Sequence, residues 1–368
     1  MRFLTADYLF PLHTNSIKEG VLQISDNGEV SAILKHRKLV PKEKLEIYDG
    51  ILCPGFINAH CHLELSHLRG LSKKDKGILN FISDIKNRNN FSKKHILNEI
   101  ELAEKQMIRN GIVGVGDICN TDDTLFQKTK KNLQYYNFIE VFSVKNKIEK
   151  SIILNAKNLR NKFRDIDQKS TISPHAPYSV TPKLMQIIIN NFDNEDELIT
   201  IHIQESKEEN ELFNNKNGPF LSWLNKLSAT NEIWANRNSA LDIFNQIETK
   251  SLLVHNTFAQ KKDLTSNYYC TCPKSNLYIE NCLPNYSIFD SNRLCVGTDS
   301  LASNDSLSIL EELKIIKENS DYDLNTLLKI SSKNGAEALG FSNLGTFEKG
   351  KSPGVNLIKD FKEIKVIA

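Results

Sequence analysis

Between residues 53 and 343 the chain repeats one pattern, a short apolar run followed by a stretch with helical periodicity. The runs are Phe56–Ala59, Ile112–Asp117, Phe138–Val144, Ser170–Ser173, Leu198–Ile203, Ser251–Val254, Tyr268–Cys272 and Leu294–Gly297. Apolar runs of this length read as buried strands, and the amphipathic spacers between most of them read as covering helices. The spacer from Ser92 to Asn110 puts Ile96, Ile100, Ala103 and Met107 on one face and stops at Gly111. Thr181-Pro182 supplies the N-cap and first-turn proline of another. Eight strand candidates with helical spacers predict an α/β fold, a (β/α)8 TIM barrel over residues 53–343, with its functional groups at the C-terminal ends of the strands.

The two ends of the chain follow a different rule. Residues 1–52 contain short alternating segments (Tyr8–Phe10, Gly20–Ile24, Val30–Leu34, Leu45–Tyr48) broken by the turn signals Asn27-Gly28 and Asp49-Gly50. From Leu344 onward, Gly345, Gly350, Pro353 and Gly354 punctuate Val355–Ile358 and Ile364–Ile367. Residues 1–52 and 344–368 are therefore expected to build one small β domain, with an antiparallel sheet, beside the barrel.

Composition excludes several classes of partner. The 368 residues are 40% hydrophobic and 25% charged, with a net charge of +2, as in an ordinary soluble enzyme. No arginine-rich stripe points to nucleic acid or to a membrane surface, and Lys73-Lys74-Asp75-Lys76 reads as a solvated loop. Met1 to His13 lacks the apolar core of a signal peptide, and no apolar run is long enough to span a bilayer. Seven cysteines without close regular spacing suit a reducing compartment, so a cytoplasmic location is expected. Cys270 and Cys272 lack a second pair nearby and fit a strand interior better than a zinc site.

Chemistry concentrates at the strand ends. In Pro54-Gly-Phe-Ile-Asn-Ala-His60-Cys-His62 the two histidines are two apart in an extended segment, so both point to one face. His175 follows the fourth run, His202 and Glu205 end the fifth, His255 ends the sixth, and Asp299 ends the eighth. Three imidazoles and one carboxylate (His60, His62, His202, Asp299) suit one divalent ion, zinc or alternatively ferrous iron, and such an ion activates water near neutral pH. Glu205 is placed on the same rim to move protons without being a ligand, and His255 to polarise the attacking water.

These residues sit in motifs that resemble the amidohydrolase superfamily, in its branch of metal-dependent deaminases and chlorohydrolases of aminated heterocycles. Besides the His60/His62 segment, the motifs are Leu68-Arg69-Gly70, Pro174-His175-Ala-Pro177-Tyr178, His202-Ile-Gln-Glu205-Ser206, Val254-His255-Asn256, Cys272-Pro-Lys-Ser275-Asn276, Gly297-Thr298-Asp299-Ser300 and Leu344-Gly-Thr-Phe-Glu-Lys-Gly350. The resemblance implies a metal-bearing barrel and a flanking β-sandwich built from both termini. It further implies that His60, His62, His202 and Asp299 hold the metal, that Glu205 is the proton shuttle, that His255 polarises water or intermediate, and that His175 touches substrate. Binuclear relatives use a carboxylated lysine at the fourth strand, and Ser170–Ser173 has none, which implies a single metal. Gly354-Val355-Asn356 departs from the Ala-Asp pair many relatives carry in the last sandwich strand.

The expected activity is hydrolytic deamination of a purine, pyrimidine or adenosyl nucleoside, with ammonia released. An amide, imine or halide hydrolase of the same superfamily is the alternative. The long segment Ser206–Asn238 brings Trp223 and Trp234 into consideration as a stacking surface for a planar substrate, against packing on the barrel or on a second subunit. The expected partner is a small molecule, and the chain is open to homo-oligomerisation.

Overall fold

The structure is a computed structural model and describes residues 1–86, 90–193, 197–245 and 249–368. Eight parallel strands carry the middle of the chain: β1 (Phe56–Cys61), β2 (Ile112–Cys119), β3 (Gln134–Val141), β4 (Lys169–Pro174), β5 (Leu198–Ile203), β6 (Lys250–His255), β7 (Tyr268–Thr271) and β8 (Leu294–Val296). All eight were legible as apolar runs. The third runs Gln134–Val141 rather than Phe138–Val144: it begins four residues earlier, because Tyr135 and Tyr136 are buried and extend it backwards, and it ends three residues sooner. Ladder hydrogen bonds join the strands as two four-stranded parallel sheets, β1 to β4 and β5 to β8, each in sequential order. At two seams the backbone also bonds across: the N–H of His202 donates to the carbonyl of His175 at 2.9 Å, and the N–H of Asp299 to that of His60 at 3.0 Å.

Strands β1 and β5 are buried along their whole length, which is why they read as near-continuous apolar runs. The helix Lys93–Arg109 turns Ile96, Ile100, Ala103 and Met107 inward as its periodicity predicts, and the Ser92 hydroxyl caps the N–H of His95. The helix Pro182–Ile189 starts on its first-turn proline, with the Thr181 hydroxyl accepting from the N–H of Leu184. Glycine matters at Gly297, just past β8, where a Cβ would stand 2.7 Å from the carbonyl oxygen of His60. Only a bare backbone lets the chain leaving β8 pass this close to the C-terminal end of β1.

Segments from both ends of the chain pair with one another, though not in one antiparallel sheet. A four-stranded sheet orders Val30–Leu34, Val21–Ile24, Arg2–Thr5 and Leu45–Ile47. A five-stranded sheet orders Glu363–Val366, Val355–Lys359, Ile51–Pro54, Tyr8–Leu9 and Ile17–Lys18. Two pairings are parallel, Arg2–Thr5 with Leu45–Ile47 and Tyr8–Leu9 with Ile51–Pro54. Turn residues such as Asn27-Gly28 specify only the local hairpin, here with Gly28 at φ +83°, and leave the longer returns undetermined. The departure at Gly354-Val355-Asn356 has a structural role: the buried Asn356 amide donates to the carbonyl of Gly111 at 2.8 Å, the same oxygen that accepts from the N–H of Phe56. It ties the last strands to the starts of β1 and β2.

Candidate active site

His60 and His62 leave the end of β1, His202 the end of β5, and Asp299 follows β8. Nε2 of His62 lies 3.2 Å from Nε2 of His60 and 3.2 Å from Nε2 of His202. Oδ1 of Asp299 is 3.4 Å from Nε2 of His62 and 3.7 Å from Nε2 of His60. Donor atoms at about 2.0–2.1 Å from one tetrahedral ion stand roughly 3.4 Å from each other. The protonation states agree with that fit. Burial pushes all of these imidazoles down, His62 to about 3, so each is neutral and offers a lone pair. Nδ1 of His202 faces the carbonyl of His175 at 2.9 Å; a carbonyl only accepts, so Nδ1 carries the hydrogen and Nε2 is free to ligate.

Burial by itself would raise the Asp299 carboxyl, but its contacts with His60, His62 and His255 hold it well below the ordinary carboxylate range. Its other oxygen, Oδ2, accepts from the hydroxyls of Ser275 at 2.6 Å and Ser303 at 2.7 Å, which fix its orientation. Asp299, His255, Asn256 and Gln204 all have φ between 50° and 72°, a left-handed backbone at three strand ends. Such strain in non-glycine residues is held in place by the surrounding fold and clusters where side chains must be aimed.

Glu205 is buried beside this group, and burial, with the charges of Asp299 and Glu280 adding to it, raises its carboxyl well above the ordinary value. Its Oε1 is 3.5 Å from Nε2 of His255, whose Nδ1 is hydrogen-bonded to Oδ1 of Asn276 at 2.8 Å. The His255 ring also stacks on that of His202, with centroids 5.5 Å apart. His175 is held by the Ser179 hydroxyl at 2.7 Å from its Nδ1, and burial lowers it to about 4. His62, His175, His202, Glu205, His255 and Asp299 all line one cavity of about 70 Å³. Tyr178 and Ser300 complete its polar side, and Leu65, Ile78, Phe81, Ile82 and Ile85 supply the rest.

The two tryptophans are elsewhere. Trp234 is buried in the core, and Trp223 lies edge-on to Phe220 at 5.9 Å, while Phe220 in turn packs 4.4 Å from the Tyr178 ring. The segment between β5 and β6 forms the helices Lys207–Asn215 and Gly218–Lys226, whose Leu212, Phe213, Phe220 and Leu224 are fully buried.

Sequence reasoning missed several residues. Glu140, next to last in β3, has Oε1 3.6 Å from Nδ1 of His202 and joins His175 and His202 in a second group of potential ligand atoms. A carboxylate at the C-terminal end of a strand was the available signal. Asp117 accepts from the N–H of Leu63 at 2.8 Å, and Glu64 accepts from the N–H groups of Asn120 and Thr121 at 3.0 and 2.9 Å. Both brace the turn that follows His62. Behind Asp117 the fully buried Lys128 ammonium forms an ion pair with it and reaches Oδ1 of Asn137 at 2.6 Å.

A parallel α/β scaffold with a three-histidine, one-carboxylate cluster at its strand ends defines a metal-dependent hydrolase of the amidohydrolase type. The amidohydrolase family model matches residues 51–367, and the chain belongs to that family. It is 28% identical over 357 residues to an adenosine deaminase of Helicobacter pylori, covering 90% of this chain and 83% of the relative. The aminofutalosine deaminase of Helicobacter pylori, solved with methylthio-coformycin, superposes with a TM-score of 0.82 at 23% identity, over 97% of this chain and 91% of that one. An adenosine deaminase from Xanthomonas campestris with bound zinc superposes with a TM-score of 0.72 at 20% identity, over 97% and 84%. All seven cysteines are free thiols, and among the described residues no helix is long and apolar enough to cross a membrane.

Proposed function

We propose that this protein is a hydrolytic deaminase of an adenosine-type nucleoside, replacing the ring amine with a carbonyl and releasing ammonia. The observation that carries the reading is Glu205: a buried carboxyl, pushed upward chiefly by burial, 3.5 Å from His255 and on the cavity shared with His62, His202 and Asp299. A carboxyl pushed toward its acid form beside the metal-side groups suits protonation of a ring nitrogen.

His60, His62, His202 and Asp299 would hold one divalent ion, for which zinc is the choice supported by the donor set and by the zinc-bound relative. Such an ion, when bound, supplies Lewis-acid activation of water. The protein's own groups do the rest. Asp299 takes a proton from the attacking water, Glu205 protonates the ring nitrogen beside the attacked carbon, and Nε2 of His255, left as an acceptor because Nδ1 donates to Asn276, holds and orients the attacking water. His175 contacts a ring substituent. Trp223 fits as packing behind Phe220 and Tyr178, and Trp234 as core.

In this reading the two parallel sheets act as one closed barrel over residues 53–343, supported by the His202–His175 and Asp299–His60 backbone bonds. Residues 1–52 and 344–368 form the flanking domain, with its two sheets as a sandwich, and the enzyme works in the cytoplasm on a small molecule. The test is product identity from metal-loaded protein offered adenosine, 5'-deoxyadenosine and guanine. Ammonia together with a ring carbonyl is expected. An opened ring, a released carboxylic acid or a halide, with no ammonia from any amine tested, would sink the proposal.

A further inference from the structure

Two acceptors face the His202 ring on the edge turned away from the other candidate ligand atoms. Nδ1 is 2.9 Å from the carbonyl of His175 and 3.6 Å from Oε1 of Glu140. Glu140 reaches that place by strand alternation. Tyr136 and Phe138 of β3 pack in one buried cluster with Leu198 of β5, and Glu140 continues that face of β3 as His202 continues that of β5. Only 6% of the Glu140 side chain is exposed, and Glu140 is not among the residues lining the cavity that Glu205, His255 and Asp299 share.

The other oxygen of Glu140 is tied to the far side of the cluster. Oε2 accepts from the side-chain amide of Asn120 at 3.1 Å, and the same amide donates to the Glu140 carbonyl at 3.3 Å. The backbone N–H of Asn120 donates to Oε2 of Glu64 at 3.0 Å, in the turn two residues past His62. Glu64, Asn120, Glu140 and His202 thus form one polar belt over the ends of β1, β2, β3 and β5, joining the chain beside one candidate ligand to the ring of another. At 3.6 Å the carboxylate makes no good hydrogen bond to His202; it places negative charge behind an N–H. That N–H becomes a stronger donor once Nε2 gives its lone pair to a cation, because the ring then carries part of the charge. Glu140, His175 and His202 offer ligand atoms within 4.8 Å of one another, but Nδ1 of His202 keeps its hydrogen, so the three do not form a second ion site.

We infer that Glu140 is a positioning residue for the metal centre: its carboxylate, anchored by Asn120, keeps the His202 ring turned and polarised toward the ion without being a ligand or a substrate contact. This rests on His202 being a ligand and is independent of which bond is cleaved. The test measures zinc affinity by chelator competition and the visible spectrum of cobalt-substituted protein. Glu140→Gln keeps the shape but turns an amide NH2 toward either His202 or Asn120, both of which donate. It is expected to bind zinc on the order of 10-fold more weakly, to shift the cobalt bands and to lower kcat at unchanged KM, with the melting temperature of metal-free protein unchanged. Asn120→Ala, at a half-buried position, keeps the carboxylate but releases it, and should weaken zinc binding by a smaller factor. Wild-type zinc affinity and cobalt bands in the folded variants overturn the proposal. A raised KM at wild-type metal affinity also overturns it and makes Glu140 a substrate contact; a lower metal-free melting temperature with unmoved cobalt bands leaves it a packing role alone. His202→Ala separates this inference from the ligand assignment. If that variant binds zinc as the wild type does, the assignment fails and the inference with it; if it loses zinc while Glu140→Gln does not, only the positioning role fails.

Discussion

Replacing Lys128 by methionine is expected to be among the most damaging single changes away from the metal cluster. Its ammonium and the Asp117 carboxylate are both fully buried, and the ammonium also sits 4.8 Å over the Tyr135 ring and 4.9 Å over that of Phe163. Methionine keeps most of the volume, so little cavity cost arises. It leaves Asp117 as a buried carboxylate with the Leu63 N–H, at 2.8 Å, as its remaining strong donor, and it removes the donor to Asn137. Removing one partner of a buried pair costs about 3–5 kcal/mol, which includes the loss of cation–π contacts of about 0.5–2 kcal/mol each. Lys128→Met with Asp117→Asn removes both charges and should therefore be more stable than Lys128→Met alone by at least about 1 kcal/mol. Urea midpoints at constant slope measure both. Because Leu63 follows His62, chelator competition should also show metal held on the order of 10-fold more weakly in the single variant. A loss below about 1 kcal/mol for Lys128→Met, or a double variant less stable than the single, would refute the argument.

Other outcomes follow from the same geometry. Metal analysis of protein purified without chelator should approach one equivalent, and His202→Ala should lose metal and activity together; two tightly held equivalents, both needed for turnover, would contradict the single-ion assignment. Glu205→Gln should retain metal while turnover falls roughly 100-fold or more, the scale of lost general acid catalysis, so normal turnover would remove the shuttle role. Glu312 is buried and pushed up to about 8, chiefly by burial, above the ordinary carboxyl value near 4.5. The folded state therefore holds a proton that the unfolded chain has lost, and this contribution to stability is present below about pH 4.5 and disappears as pH rises toward 8. Glu312→Gln should flatten the stability profile across that window by on the order of 1 kcal/mol per pH unit, read from urea midpoints at each pH. Trp223→Ala and Trp234→Ala should lower stability with KM for the deaminated nucleoside unchanged, and a raised KM in a folded variant would restore the stacking role.

The sequence by itself determined the eight strand positions, because burial on both faces of a parallel strand leaves an apolar run that needs no partner to be seen. It also determined the ends of those strands at His60, His62, His202, His255 and Asp299, and the helix Lys93–Arg109 with its serine cap, since periodicity and capping are properties of neighbouring residues. What it could not supply was whatever depends on placing distant segments together. The 3.2 Å approach of His62 to both His60 and His202, the hydroxyls of Ser275 and Ser303 on Asp299, and the carboxylate of Glu140 behind His202 exist only after the strands are assembled. The upward push on the Glu205 carboxyl was also invisible, because it follows from burial and from charges brought alongside by other loops. The aromatic stripe at Phe220 and Trp223 and the apolar face of Ile78–Ile85 have the same helical spacing, yet one lies away from the cavity lining and the other forms part of it. Spacing tells which side chains share a face; only the packing of that helix against its neighbours decides what the face meets.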